Sequence, residues 1–341
     1  MSAVSPGVLV DYGWTERVQA LFDEFARLLL EPARVVRVER SICAAVFSDG
    51  AERLVSGPTP SVVGDWLAVR DSIIEGILPR WSGLSRYDPE TNAMQVLAAN
   101  VDLVVITAPA DRASASRVER ELALAWDSGA RPLVVLTKSD LAAPGLEEAL
   151  RERLVGVNVL ATSTVDDVGV AQLRAELRPD RTAVLLGPSG AGKSSLANAM
   201  LGRDRFATGA VRTADGRGRH TTTSRQLVTL PGGGVLIDTP GLRSLGLGSH
   251  IDLEATYPDI DALSRDCRFR DCRHDAEPGC AVVAAVAAGT LARARLSSFQ
   301  KLQGEVAAQA RRTDPMVRKE ELAVWKARTK AARAHAKRKG G

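Results

Sequence analysis

The chain of 341 residues is 45% apolar with a net charge of +4, long and apolar enough for two or three packed cores. It has no run of eighteen apolar residues, and its start, MSAVSPGVLVDYGWTERVQ, lacks the basic head and apolar block of a signal peptide; no membrane association is expected, and the cytoplasm is the expected compartment. Four cysteines are too few for a disulfide framework in a chain this size, and three of them cluster, which points to metal.

Residues 1–32 read as a helical lead-in, TERVQALFDEFARLLL, closed by Pro32. Over residues 33–90 the rhythm becomes short β runs, RVVRVER, ICAAVF, ERLVSG, DWLAVR and IIEGILPR, parted by turn residues such as SDG and GPTP. Five such runs suit a barrel of the OB type, and other small β barrels fit the pattern as well. Cys43 falls inside an apolar run and belongs in a core. The segment holds few aromatic residues, among them Phe47, Trp66 and Trp81. That argues against stacking on single strands and for contact with folded RNA through shape and phosphates.

Over residues 96–248 the apolar runs VDLVVITA, RPLVVLT, VNVLATS and TAVLLG alternate with the amphipathic stretches SRVERELALAWDSG, GLEEALRERL and GVAQLRAEL. This is the pattern of a parallel sheet covered by helices on both faces. Residues 249–310 hold a cysteine-rich segment followed by Ala-rich helical patterns. Residues 311–341 carry eleven Lys/Arg against three acids, a charge of +8, while 34 cations and 38 acids leave the rest at −4. The basicity belongs to the tail, which is either a polyanion contact or a solvated terminus. The chain is thus expected to be a multidomain α/β protein.

Two sets of motifs stand in an unusual order. TKSD reads as a guanine-recognising tetrad with Thr137 in place of the usual Asn. Asp140 would accept from guanine N1–H and N2–H₂, groups adenine does not offer, and the Lys138 stem would pack along the base. Ala161, Thr162 and Ser163 end the next strand, where a backbone N–H can meet guanine O6. About fifty residues after the tetrad comes a phosphate loop: Gly187, Pro188, Ser189, Gly190, Ala191, Gly192, Lys193, Ser194 and Ser195. Its N–H groups would cradle phosphates at a helix N-terminus. Lys193 would act catalytically on the β and γ phosphates, and Ser194 would ligate Mg²⁺. In DTPG, Asp238 would hold Mg²⁺ through a water, and the Gly241 N–H would bind the γ-phosphate. Either TKSD is a coincidence, or one GTP site is presented with its base motifs first. The second reading is favoured because both base motifs end strands, the edge where open α/β sheets bind ligands. A sheet tolerates such a cut when the old ends lie close.

Downstream, Cys267, Cys272, His274 and Cys280 lie within fourteen residues. Three thiolates and an imidazole match a closed, structural Zn²⁺ site.

The permuted order, LAANVDLVVIT opening the sheet, GRHTTTSRQL before DTPG, and the cysteine segment together resemble the ribosome small-subunit-dependent GTPase A family over roughly residues 33–300. The resemblance implies an N-terminal OB domain, a circularly permuted GTPase and a C-terminal zinc-binding domain. It also implies binding to the small ribosomal subunit and its rRNA, with a role in late maturation; a monomer is expected. The cofactors are GTP, Mg²⁺ and one structural Zn²⁺. Thr221, Thr222 and Thr223 can each complete Mg²⁺ coordination, and the resemblance favours Thr222. Leu242 stands where many GTPases have a water-positioning glutamine, so intrinsic turnover on the order of 10⁻⁴ to 10⁻³ s⁻¹ is expected. His220 or a group from the ribosome would orient the water; a structural or RNA-contacting His220 is the alternative. Two rival readings are a nucleotide-gated RNA-binding module with negligible turnover and an ATP-using enzyme with a chance TKSD.

Overall fold

The computed structural model describes residues 5–39, 42–88, 91, 93–206, 225–238, 251–275 and 277–313. Helix α1 (Glu16–Arg27) begins where the Thr15 hydroxyl accepts the Val18 N–H, an N-cap satisfying one orphan donor. It buries Val18 and Phe22, and Trp14 just before it meets Trp66 edge-on at 5.3 Å. The helix ends at Arg27 rather than at Pro32, which is the second residue of strand β1 (Glu31–Glu39), opposite Ala68.

All five short runs fold as strands: β1, β2 (Ile42–Phe47), β3 (Glu52–Val55), β4 (Trp66–Arg70) and β5 (Ile73–Ile77). β1 pairs antiparallel with both β2 and β4, β2 with β3, and β4 with β5, while a parallel Ser56–Ile73 bridge joins the end of β3 to β5. Alternate side chains therefore enter one core, including Val35, Cys43, Ala45, Phe47, Leu67 and Val69.

Strands β6 (Gly83–Asp88) and β7 (Ala93–Ala99) form a separate antiparallel pair. This hairpin straddles the boundary at 90–96 expected from composition. Then follow β8 (Leu103–Pro109), α2 (Ala115–Asp127), β9 (Arg131–Thr137), α3 (Leu146–Arg153), β10 (Val159–Thr162), α4 (Val170–Glu176), β11 (Thr182–Leu186), α5 (Lys193–Leu201), β12 (Gln226–Thr229) and β13 (Val235–Asp238). The order β10-β9-β8-β11-β13 is parallel throughout. Val104, Ile106, Val134 and Leu136 pack with α2 on one face; Leu103, Val105, Leu133 and Val135 pack with α4 and α5 on the other.

At the far side β12 runs antiparallel to β13 and also to β1, so the two strand groups form one sheet of eleven strands among the described residues. Gln226 pairs with Asp238 on one side and Arg37 on the other. Arg34 of β1 adds a side-chain tie. Fully buried, it stacks 4.7 Å over Trp66, donates to the Tyr12 carbonyl and reaches the Thr182 hydroxyl of β11 at 2.8 Å. Burial pulls its pKa down to about 10.

The described residues close with α6 (Leu253–Thr256), α7 (Pro258–Ser264), α8 (Ala281–Ala287) and α9 (Arg293–Thr313). Helix α9 lies along α2, with Ser116 and Ser298 hydroxyls 2.6 Å apart and Arg120 paired to Glu305 at 3.0 Å. Between them is a buried ion network. Glu119 accepts from Arg153 at 2.8 and 3.1 Å and from Arg295 at 2.9 Å, and Arg295 also forks onto Asp259 at 3.0 and 2.8 Å. Among the described residues no helix is long and apolar enough to cross a membrane.

Candidate functional site

The phosphate loop grows from the buried strand β11 and enters α5 through three glycines at positive φ: Gly187 (139°), Gly190 (71°) and Gly192 (79°). Gly187 is required by space as well as angle. A Cβ there would lie 2.1 Å from the Thr107 hydroxyl, which is held by its bond to the Leu186 carbonyl at 2.7 Å. Lys193 opens the helix, and its ammonium donates to the Gly187 and Pro188 carbonyls at 2.8 and 2.7 Å. The loop thus curls around the Lys193 charge. Pro188, Ser189, Gly190 and Ala191 complete the turn, Ser194 and Ser195 stand half-buried in the first turn of α5, and Arg112 pins the Ser189 carbonyl at 3.1 Å.

The tetrad arrives at the same edge because β9 and β11 flank β8 in parallel register. Thr137, the last residue of β9 and buried, donates its hydroxyl to the Ala191 carbonyl at 2.7 Å across 54 positions of sequence. The substitution at the usual Asn position therefore keeps a backbone tie to the phosphate loop. Lys138 takes φ 57° and lies 3.4 Å from Asp111. The Ser163 hydroxyl donates to Asp140 at 2.8 Å and is itself fixed by the Val165 and Asp166 N–H groups at 3.3 and 3.1 Å. Parallel register sets Thr162 beside Thr137 and Ala161 beside Leu136. The turn back is so tight that a Cβ on Gly169 would meet the Ala161 carbonyl at 2.0 Å.

Asp238 ends β13 half-buried, one residue past the Val184–Ile237 pair that joins β13 to β11. The fold therefore gathers Thr137, Lys138, Asp140, residues 161–163, residues 187–195 and Asp238 along one edge of the parallel strands. His220, Thr222, Gly241 and Leu242, together with residues 314–341 of the tail, lie outside the described residues.

One residue at this edge escaped the sequence reading. Glu121 of α2 faces a cavity of about 50 Å³ shared with Thr107, Arg112, Arg117 and Pro188, and its Oε2 is buried with no partner. Burial pushes its carboxyl up to about 7, against the pull of Arg117, Lys193 and Arg120. An acid between Val118 and Leu122 on a helix face packed on the sheet was the available signal.

Between an ordinary carboxyl value of 4.5 and the folded value of about 7, the folded chain holds a proton that the unfolded chain has released. The contribution of Glu121 to stability is therefore greatest in acid, falls as pH rises through that window and is level above it. Glu121→Gln is expected to be more stable than the parent at pH 8, by up to about 3 kcal/mol, and to lose the decline between pH 5 and 7. Urea unfolding at pH 5, 6.5 and 8 measures both; parallel pH profiles would refute the assignment.

In the C-terminal region the Cys267, Cys272, His274 and Cys280 donor atoms all lie within 4.8 Å of one another. Tetrahedral Zn²⁺, with bonds near 2.3 Å to sulfur and 2.0–2.1 Å to nitrogen, sets sulfurs about 3.8 Å apart and sulfur about 3.6 Å from nitrogen. The distances are 3.8 Å for Cys267–Cys280, and 3.6 and 3.5 Å from His274 Nδ1 to Cys267 and Cys280. The donor set fits zinc. Gln300 of α9 holds the His274 carbonyl at 2.6 Å, where His274 takes φ 58°.

Comparison with known proteins gives a consistent picture. The RsgA GTPase family model matches residues 77–248. A "Small ribosomal subunit biogenesis GTPase RsgA" of Streptomyces coelicolor is 43% identical over 354 residues, covering 98% of this chain and 96% of that protein. The protein of the same name from Opitutus terrae is 41% identical, covering 93% and 95%. Among solved structures, YjeQ from Thermotoga maritima aligns with a TM-score of 0.61 at 25% identity, over 81% of this chain and 98% of its own. YloQ, described as a circularly permuted GTPase, aligns at 0.59 and 23% identity, over 82% and 96%, a likeness of fold.

Proposed function

The chain belongs to the RsgA GTPase family, and from that premise we propose that it binds GTP with Mg²⁺ along the strand edge described above and hydrolyses it when engaged by the small ribosomal subunit. It is a GTPase of small-subunit biogenesis. The observation that carries the site assignment is the Thr137–Ala191 hydrogen bond of 2.7 Å, which ties the base motif to the phosphate loop in spite of their permuted order.

In this reading Asp140, oriented by Ser163, accepts the guanine N1–H and N2–H₂, the Lys138 stem lines the base, and an N–H of residues 161–163 meets O6. The loop amides of residues 187–195 hold the phosphates, with Lys193 stabilising charge on the β and γ oxygens. Ser194, Asp238 and Thr222 are the proposed Mg²⁺ ligands, and Gly241 gives an N–H to the γ-phosphate. Mg²⁺ held by these residues would supply charge neutralisation at the transferring phosphoryl group. His220 is proposed to orient the attacking water, in the absence of a glutamine at position 242.

The strand order β3-β2-β1-β4-β5 with its Ser56–Ile73 bridge supports an OB-type barrel over residues 33–90, following a lead-in at 1–32 and preceding the GTPase region at 96–248. Residues 249–310 form a zinc-clipped helical region whose four protein ligands give the metal a structural task. Residues 311–341 are a basic tail suited to rRNA. The protein works on late maturation of the subunit, in the cytoplasm and as a monomer.

Steady-state hydrolysis by the full chain, alone and with purified small subunits, tests this with ATP as control. The expected result is a rise of about tenfold or more, specific to GTP and to that subunit, since groups supplied in trans contribute up to 10³–10⁵ in other GTPases. No rise with GTP still bound would leave a nucleotide-gated RNA binder; equal use of ATP would remove the role given to Asp140.

A further inference from the structure

A cavity of about 490 Å³ opens where β1, the loop 60–63, β7 and the first residue before β12 converge, lined by Val38, Ser61, Arg80, Gln95 and Arg225 among others. None of its walls belongs to the nucleotide edge. Its volume is that of a small-ligand pocket, and its charge is unbalanced.

Arg80 is neutralised within the wall, forking onto the fully buried Asp65 at 2.7 and 2.7 Å. Arg225 has no such answer: its Nε is buried with no acceptor. Burial lowers its pKa, and the neighbouring Arg86 lowers it further. Arg86 in turn forks at 3.3 Å onto Gln95, a neutral amide on the cavity wall. Arg225 thus lines the cavity while Arg86 reaches its wall through Gln95, and among the described residues neither guanidinium is paired with a carboxylate. An uncompensated, partly desolvated cation is costly, and a second like charge beside it raises the cost. An anion held at Arg225 on the cavity wall eases both penalties. Planar guanidinium forks match the oxygens of phosphate in geometry and charge.

We propose that this cavity is a second anion site, taking a phosphoryl group on Arg225 with Gln95 and Ser61 as neutral partners and with Arg86 behind Gln95. The site does not depend on the reading of the nucleotide edge. Its placement gives it reach: Arg225 immediately precedes Gln226, whose backbone pairs with both Asp238 and Arg37. Occupancy would therefore fix the start of β12.

The phosphoryl group could belong to a free phosphorylated ligand or to an RNA backbone, and two probes separate these. Calorimetric titration of the full chain, saturated with GDP, would use pyrophosphate in one arm and a short single-stranded RNA without terminal phosphates in the other. In the pyrophosphate arm, one site per chain is expected, weakened about tenfold or more in both Arg225→Gln and Arg86→Gln. Arg86 stands on the hairpin, so its variant tests the site without touching β12. The same Arg dependence with RNA alone would assign the group to the polynucleotide backbone. If the parent binds neither probe, or both variants bind as the parent does, the proposal is overturned. It also fails if pyrophosphate binding is lost in Lys193→Ala and kept in Arg225→Gln, because the anion then sits in the phosphate loop.

Discussion

Lys193→Ala is expected to lower single-turnover GTP hydrolysis by about 10²–10³-fold, the usual cost of removing one preorganised donor from a developing negative charge. The expectation rests on preorganisation. The ammonium is already fixed by the Gly187 and Pro188 carbonyls at 2.8 and 2.7 Å, so little reorganisation is needed when phosphate arrives. Lys193→Arg should not rescue the rate, because a planar guanidinium cannot occupy a turn shaped around a compact point charge. Hydrolysis at the parental rate in the alanine variant, measured with enzyme in excess over GTP, would overturn the phosphate assignments.

The largest loss of stability is expected from Glu119→Ala. Glu119 is fully buried and is the shared acceptor of Arg153 and Arg295, one from the α3 side and one from α9. Its removal leaves two guanidinium groups short of a counter-charge, and Arg295 is 4% exposed. Breaking a buried ion pair from one side costs about 3–5 kcal/mol. Arg295 keeps Asp259 and its stacking on Tyr257 at 4.4 Å, which holds the loss toward the lower end. Denaturant unfolding gives the magnitude. Hydrogen exchange should show α9 losing protection ahead of β8 and β9. A change below about 0.5 kcal/mol, the range of ordinary surface substitutions, would mean the network carries no net stabilisation.

The parts legible in the sequence are those whose constraint is local. The phosphate loop is written in glycines because Gly187 has no room for a Cβ beside Thr107, and the five N-terminal strands are spelled out by the turn residues between them. The Cys₃His cluster is legible because one short segment supplies all four donors. What could not be read depends on partners far along the chain. The task of Thr137 is set by a carbonyl 54 positions away. Glu119 and Glu121 stand two apart in one helical run, yet the first is paired on two sides while the second has a buried oxygen with no partner. Helical periodicity sets the two about 200° apart around α2, each beside buried positions, and does not say which one finds a partner. Nor does the β1 pattern reveal that this strand serves β2, β4 and β12 together.

That last pairing bears on how the protein can be dissected. Without β1, which meets β12 at the Arg37–Gln226 pair, β12 would be the outermost strand among the described residues, with Leu227 and Val228 on it, both buried in the full chain. An uncovered strand of this kind presents a row of unpaired N–H and C=O groups and invites edge-to-edge aggregation. The N-terminal strands are therefore also a guard rail: a nucleotide-binding fragment cut free of them would be prone to stick to its own copies, whatever the condition of its catalytic groups.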